Sequence, residues 1–239
     1  AAGLAAGFKK LGIDVGVMKP FAAGAQQQTD FKSSDVEFLS KAAKVNDSES
    51  LLNPQFFEIP ASPYTASKKL GTKVDVNLVL DCFKKLSNLH EMLIVEGMGG
   101  VMTPILKNYF VTNLIKDMNL ETIIVTRSKI GTVNHTVMTC KICKDFGLTI
   151  RGIIINNFDK DGYEIDVLKN DLEDLTGIPV LGTIPMIKTN LPEEDSLHAK
   201  PKKIAWNKKN LAKIDQDLDK LAKTVKNNLN IKSIERLIK

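Results

Sequence analysis

Cysteine, aromatic side chains and long apolar runs are all scarce in this sequence, and each shortage removes a class of protein. Three cysteines, Cys82, Cys140 and Cys143, cannot build a disulfide framework, and they fit a reducing compartment. Cys140 and Cys143 form a C-x-x-C, but with three cysteines and three histidines there is neither a second cysteine pair nor a Cys/His cluster to complete a zinc site. The pair lies in TVMTCKICKDFG, where Val137, Met138, Ile142 and Phe146 recur at helical spacing, so the two thiols are expected in the core. No run approaches the roughly 18 apolar residues of a membrane span. The opening AAGLAAGFKK has neither the apolar length nor the cleavage context of a signal peptide. The expected location is therefore the cytosol, away from any membrane.

Charge removes a further class. The formal net charge of +5 is concentrated in the tail: from Lys188 onward there are 13 Lys+Arg against 7 Asp+Glu, which leaves the body at about −1. Such a body offers no basic face to a nucleic acid, and the tail reads as a solvated helical face. With 43% hydrophobic and 26% charged residues, the composition is that of an ordinary globular α/β domain.

Up to about Pro185, short β-branched runs alternate with amphipathic stretches, the pattern of βαβ units around a mostly parallel sheet with helices on both faces. The spacing predicts strands over residues 14–18, 92–96, 122–126, 150–156 and 180–184. Helices are predicted over 1–11, ended by Gly12, over 34–44, opened by a Ser34/Glu37 capping box, and from 76 through Leu86. Two more are expected over 134–146 and 163–176, and a last amphipathic one over 210–229. The only shift in composition falls after Pro185, so residues 1–187 are read as the α/β body and 188–239 as a basic extension.

In a parallel sheet the ligand sits beyond the carboxyl ends of the strands, which shortens the list of functional candidates. Lys19, after an apolar strand and before Pro20, points an ammonium at that edge, where it suits a transferring phosphoryl group or a carboxylated amine. Glu96 closes the run 92–95 and is followed at once by Gly97-Met98-Gly99-Gly100. Glycines let backbone approach a phosphate closely, and a carboxylate beside them can hold magnesium directly or through water. Asp35 falls in a first helical turn, a favoured position for an acid that needs no further role; with Glu96 it makes the sparse carboxylate set that magnesium on a nucleotide requires. The segment KIGTVNH, residues 129–135, runs from strand to helix and suits an anion at the helix start; His135 there is read as a hydrogen-bonded structural residue. Asn156 and Asn157 end a strand with amides that both donate and accept, as turn asparagines or as partners of an adenine edge.

In order, VGVMKPFAAG, SSD, ASPY, IVEGMGGVMTPI, KIGTVNHTVMT, GIIINN and LGTIP resemble the dethiobiotin synthase family over roughly residues 1–187. The resemblance implies a three-layer P-loop NTPase-like fold and a homodimer. The implied reaction uses ATP and Mg2+ to close a ureido ring on 7,8-diaminononanoate with CO2. It implies Lys19 as the active-site lysine beside the forming carbamate, and Asp35 and Glu96 as the carboxylates at magnesium. Gly97, Met98 and Gly99 are implied at the phosphates, and Asn156, Asn157, Pro185, Met186 and Ile187 at the adenine. Ala23, Pro63, Gly131 and Asn134 are implied at the diamine site, which the family builds across its dimer. Two departures stand out. Ala23 replaces the serine usual in the family's KP-x-x-S-G element, and no G-x-x-x-x-G-K-[ST] loop occurs anywhere in the chain. Residues 1–11 resemble the helix that follows that loop, so the expectation is of a chain that starts a few residues late, as a truncated gene model or fragment would. Two other readings share the nucleotide fold. One is an amidoligase of the cobyrinic acid diamide type, for which no glutaminase half follows. The other is a regulatory module like the N-terminal domain of some phosphotransacetylases, which need not keep Lys19 together with KIGTVNH.

Overall fold

The computed structural model describes residues 1–26, 31–158, 162–187, 208–231 and 234–235, and of Asn157 and residues 208–212 the backbone only. The chain divides into two compact units, Ala1–Gly99 with Thr103–Asn108 and Lys188–Ala222 in one, and Gly100–Met102 with Tyr109–Ile187 and Lys223–Lys239 in the other.

The first unit begins with helix α1 (Ala2–Lys10), which stops at Leu11 because Gly12 turns left-handed at φ +83°. Gly12 N–H donates to the Lys9 carbonyl at 3.1 Å and Ile13 N–H to that of Phe8 at 3.3 Å, the paired bonds of a Schellman cap, and Phe8 and Ile13 are both buried. The chain then enters strand β1 (Val15–Met18), continues through β2 (Phe21–Ala23), α2 (Ser34–Ala43), α3 (Glu49–Leu52) and β3 (Gln55–Phe57), and goes on to α4 (Pro63–Leu70), α5 (Val76–Leu89), β4 (Met92–Val95) and β5 (Pro104–Leu106). All four residues of β1 are buried, so the strand is covered on both faces, and α1, α2 and α5 all pack on it. β1 and β4 pair in parallel from Val15↔Met92 to Met18↔Val95, and β2 pairs in parallel with β3. Helix α5 is opened by Asp75, whose carboxylate accepts from Leu78 N–H at 3.0 Å, and buries Val79, Cys82 and Leu86 along one stripe.

The second unit holds β6 (Tyr109–Phe110), α6 (Val111–Asp117), β7 (Thr122–Thr126), α7 (Thr132–Asp145), β8 (Ile150–Phe158), α8 (Ile165–Thr176) and β9 (Val180–Pro185). Strands β7, β8 and β9 form a parallel sheet in that order, and α7 and α8 pack on it and on each other. Ile153, Ile155, Leu168 and Leu172 are fully buried there, alongside Cys140 and Cys143. The C-x-x-C is thus core, as expected, and burial pushes the Cys143 thiol up to about 11. Helix α9 (Lys208–Asn228), whose residues through Ala222 belong to the first unit and the rest to the second, buries Ile214, Leu218, Ala222 and Val225, and beyond it Leu229 makes an isolated antiparallel bridge to Gly182.

The α/β alternation and parallel pairing match the sequence reading. Local corrections are three. The predicted Ser34/Glu37 capping box does not form: the N-cap is Ser33, without a side-chain cap bond, and Glu37 lies a position too deep, buried and paired with Lys41 at 3.3 Å. Met138 is half exposed, because the buried stripe of α7 is Thr132, Thr136, Cys140 and Cys143 instead. The strand predicted to stop at Asn156 runs on to Phe158, with Asn156 exposed on it. No helix among the described residues is long and apolar enough to cross a membrane.

Candidate active site

The parallel register of β1 and β4 creates the site in the first unit. Met18 and Val95 are paired, so the next residues, Lys19 and Glu96, leave the sheet side by side, and Glu96 N–H donates to the Met18 carbonyl at 2.8 Å. Helix α2 brings Asp35 to the same point from its first turn. Lys19 Nζ donates to Asp35 Oδ2 at 2.7 Å and to Glu96 Oε1 at 2.7 Å. Two carboxylates, 16 and 77 positions from Lys19 in the sequence, therefore converge on one ammonium. The α-amino nitrogen of Ala1 is 3.9 Å from Glu96 Oε2, which puts the N-terminal end of α1 beside the same carboxylate.

Exposure within the cluster is graded. The Lys19 side chain is 10% exposed, Glu96 31% and Asp35 57%. Burial by itself would push the Lys19 ammonium toward neutrality, but Glu96 and Asp35 outweigh it and hold its pKa above the ordinary lysine value. Lys19 is thus a fixed positive charge at working pH. Two carboxylate oxygens already directed at a single cation are the donor set of a hard metal ion. Among the described residues no group of three or more His, Cys, Asp or Glu gathers to cage a metal. The pair fits a magnesium ion that takes most of its oxygens from nucleotide and water.

Beyond Glu96 the chain passes Gly97, Met98 and Gly99 without regular structure. Gly99 is left-handed at φ +68°, and a Cβ there would lie 2.5 Å from Thr103 Oγ1, so this turn needs glycine. Ala23 ends β2, beside Gly24 N–H donating to the Phe57 carbonyl at 2.9 Å. Pro63 is buried at the first position of α4, behind the Ser62 cap that accepts from Thr65 N–H at 3.3 Å.

The remaining candidates lie in the second unit. Gly131 is the N-cap of α7, and Asn134 and His135 are exposed in its first turn. The turn is anchored by three threonines: Thr126 Oγ1 is 2.6 Å from Thr132 Oγ1 and 2.8 Å from Thr136 Oγ1. Pairing of β8 with β9 sets Asn156 opposite Ile184 and Phe158 opposite Pro185, so the asparagine strand end adjoins Pro185, exposed Met186 and Ile187. Asn157 has its backbone in β8; its side chain lies outside the described residues.

Sequence reasoning missed Asn53. It is buried, and its Nδ2 donates to the Lys19 carbonyl at 2.7 Å. The only local signal is an Asn-Pro turn, which does not say what the amide touches.

A parallel α/β body with a lysine and a carboxylate at adjoining strand ends, and a second carboxylate brought by α2, is an arrangement suited to a nucleotide-dependent enzyme, and the class is shown by comparison with known proteins. A family model described as an AAA domain matches residues 1–194, within the P-loop NTPase class. The chain is 64% identical over 187 residues to the ATP-dependent dethiobiotin synthetase BioD of Nitrosopumilus maritimus, covering 78% of this chain and 82% of that protein. It is 36% identical over 199 residues to the protein of the same name in Bacillus subtilis (strain 168), covering 83% and 85%. Among solved structures, a ParA family ATPase from Chlorobium tepidum matches with a TM-score of 0.49 at 18% identity, over 94% of this chain and 89% of that one. A likeness of that degree carries no weight beyond the sequence matches. The chain belongs to the ATP-dependent dethiobiotin synthetases, ligases that form C–N bonds.

Proposed function

We propose that this chain converts 7,8-diaminononanoate, CO2 and ATP into dethiobiotin, ADP and phosphate, with the Lys19 cluster as the reacting centre. The observation that carries this reading is the convergence of Asp35 and Glu96 on Lys19 Nζ at 2.7 Å each. One amine of the substrate adds to CO2 and gives a carbamate. A carbamate oxygen attacks the γ-phosphorus and ADP leaves; the second amine then attacks the carbamoyl carbon, the C–O bond to phosphate breaks, and the ring is closed. Protons from both amines pass to solvent.

Lys19, held protonated, balances the negative charge that gathers as the carbamate becomes a mixed anhydride. Asp35 and Glu96 are the residues to hold magnesium, which when bound neutralises phosphate oxygens during the transfer. Gly97, Met98 and Gly99 bring backbone to the phosphates. Asn156, Asn157, Pro185, Met186 and Ile187 are assigned to the adenine, and Ala23, Pro63, Gly131 and Asn134 to the diamine. The working form is a cytoplasmic homodimer, with residues 1–187 as the catalytic body and 188–239 as an extension without a catalytic role.

The test is Lys19→Ala, with dethiobiotin measured by mass spectrometry. Removing one preorganised charge of this kind costs about 3 kcal/mol, a rate loss of more than about a hundredfold. The circular dichroism spectrum is expected to stay that of the parent. Dethiobiotin formation at the parent rate would remove Lys19 from the reaction.

A further inference from the structure

Lys19 can neutralise a reacting group only if its own peptide is fixed, because the side chain is long and its charge is attracted to either carboxylate alone. Its peptide is fixed from both sides by one short segment at the end of α3. Lys19 N–H donates to the Leu52 carbonyl at 2.8 Å, and the Lys19 carbonyl accepts from Asn53 Nδ2 at 2.7 Å. Asn53 Nδ2 also donates to the Gln55 carbonyl at 3.2 Å, at the start of β3. Asn53 itself is held by its N–H, which donates to the Glu49 carbonyl at 2.7 Å.

The amide orientation is dictated by its partners. Both neighbours are carbonyl oxygens, so the NH2 group must face them; a flipped amide would set an oxygen against two oxygens. In this orientation Asn53 Oδ1 is buried with no hydrogen-bond partner among the described residues. A residue present only to fill space would not carry that unmet acceptor, since an apolar side chain of similar volume avoids it. The placement also explains why Leu52, fully buried, precedes it: the leucine anchors the segment in the core while the asparagine faces the peptide that follows β1.

We propose that Asn53 is a positioning residue for the reaction, holding the Lys19 peptide so that the ammonium stands between Asp35 and Glu96. The inference rests on the proposed role of Lys19, and the test separates the two. Asn53→Asp keeps the shape and replaces the donating NH2 by an oxygen. Lys19 is labelled with acetic anhydride and its peptide quantified by mass spectrometry, with the thiol of buried Cys82 in the same unit as the control for folding. The expected result is Lys19 labelling about tenfold faster, the ratio set by losing one buried hydrogen bond, while Cys82 stays protected and kcat falls more than KM for ATP. If Cys82 becomes reactive, Asn53→Ser is read in the same way. Unchanged Lys19 labelling in a folded variant overturns the proposal. Faster labelling with kcat unchanged upholds the positioning and overturns the catalytic role of Lys19 instead.

Discussion

Asp35 and Glu96 contact the same ammonium at the same distance, yet they should not matter equally to magnesium. Glu96 is 31% exposed and Asp35 57%. A charge-assisted contact in a partly buried setting is worth roughly 1.5–3 kcal/mol, so Glu96→Gln should raise the magnesium concentration for half-maximal activity by about ten- to a hundredfold. A contact made by a mostly solvated carboxylate is screened to roughly 0.2–1 kcal/mol, so Asp35→Asn should raise it by no more than about fivefold. Neither carboxylate is part of the apolar core, so both variants should fold. The assay is a magnesium titration of ADP release at saturating diamine, bicarbonate and ATP, repeated at raised salt, where the Asp35→Asn difference should shrink first. A parallel titration with Mn2+, read by paramagnetic resonance of the free ion, reports binding without turnover. Identical titrations for the parent and both variants would refute the metal assignment. A larger effect from Asp35→Asn would refute the ranking by exposure.

Other consequences of the fold can be checked more simply. Burial raises the Cys143 thiol to about 11. The neutral form favoured by folding therefore contributes stability that is full below the unfolded thiol value of about 8.5 and is lost as pH rises through 11; iodoacetamide at pH 8 should leave Cys140 and Cys143 unlabelled until denaturant is added. Gly12→Ala places a side chain at φ +83° and should lower stability by about 1 kcal/mol, read from the urea midpoint with unchanged slope. Leu168→Ala empties a fully buried position on α8 and should cost about 2–5 kcal/mol in the same experiment.

The strands legible in the sequence are those written as apolar runs. β1, β4, β7, β8 and β9 read as such runs whether buried throughout, as β1 is, or only in part, as β4 and β7 are, and their predicted bounds fall within two residues of the observed ones. The short pieces β2, β3, β5 and β6, and the helices α3, α4 and α6, have too few residues to show a period. α4 did carry a signal, Ser62 followed by Pro63, the residues of an N-cap and a first helical turn. The capping box failed because Ser33 and Ser34 are adjacent and equally suited, so the choice between them rests on where the chain arrives from rather than on composition. Of the site, Lys19 and Glu96 were legible as polar residues ending apolar runs. Asp35 was legible only in company with Glu96 and through the family resemblance, since an acid in a first helical turn is ordinary. Asn53 was not legible at all, because its partner is a backbone carbonyl, which no sequence pattern marks.

The geometry of Lys19 and Glu96 follows from a single fact, the register of two short strands. Gly16 stands opposite Leu93 in the middle of the β1–β4 ladder, and a Cβ on it would lie 2.4 Å from His90 Cδ2 and 3.1 Å from Leu93 Cδ1. The His90 ring cannot simply swing aside, because Nδ1 is 3.1 Å from Asp14 Oδ2 and Nε2 is 3.0 Å from Asp47 Oδ2. The space over Gly16 is therefore closed by a side chain tied at both ends, one of them the residue that precedes β1. A slip of one residue between the strands would carry a side chain into that space and turn every inward residue outward. It would also separate Lys19 from Glu96, which meet only because Met18 and Val95 are paired. The glycine that fixes the register at the middle of the ladder thus also fixes the distance between two charges at its end, three residues away and outside the sheet.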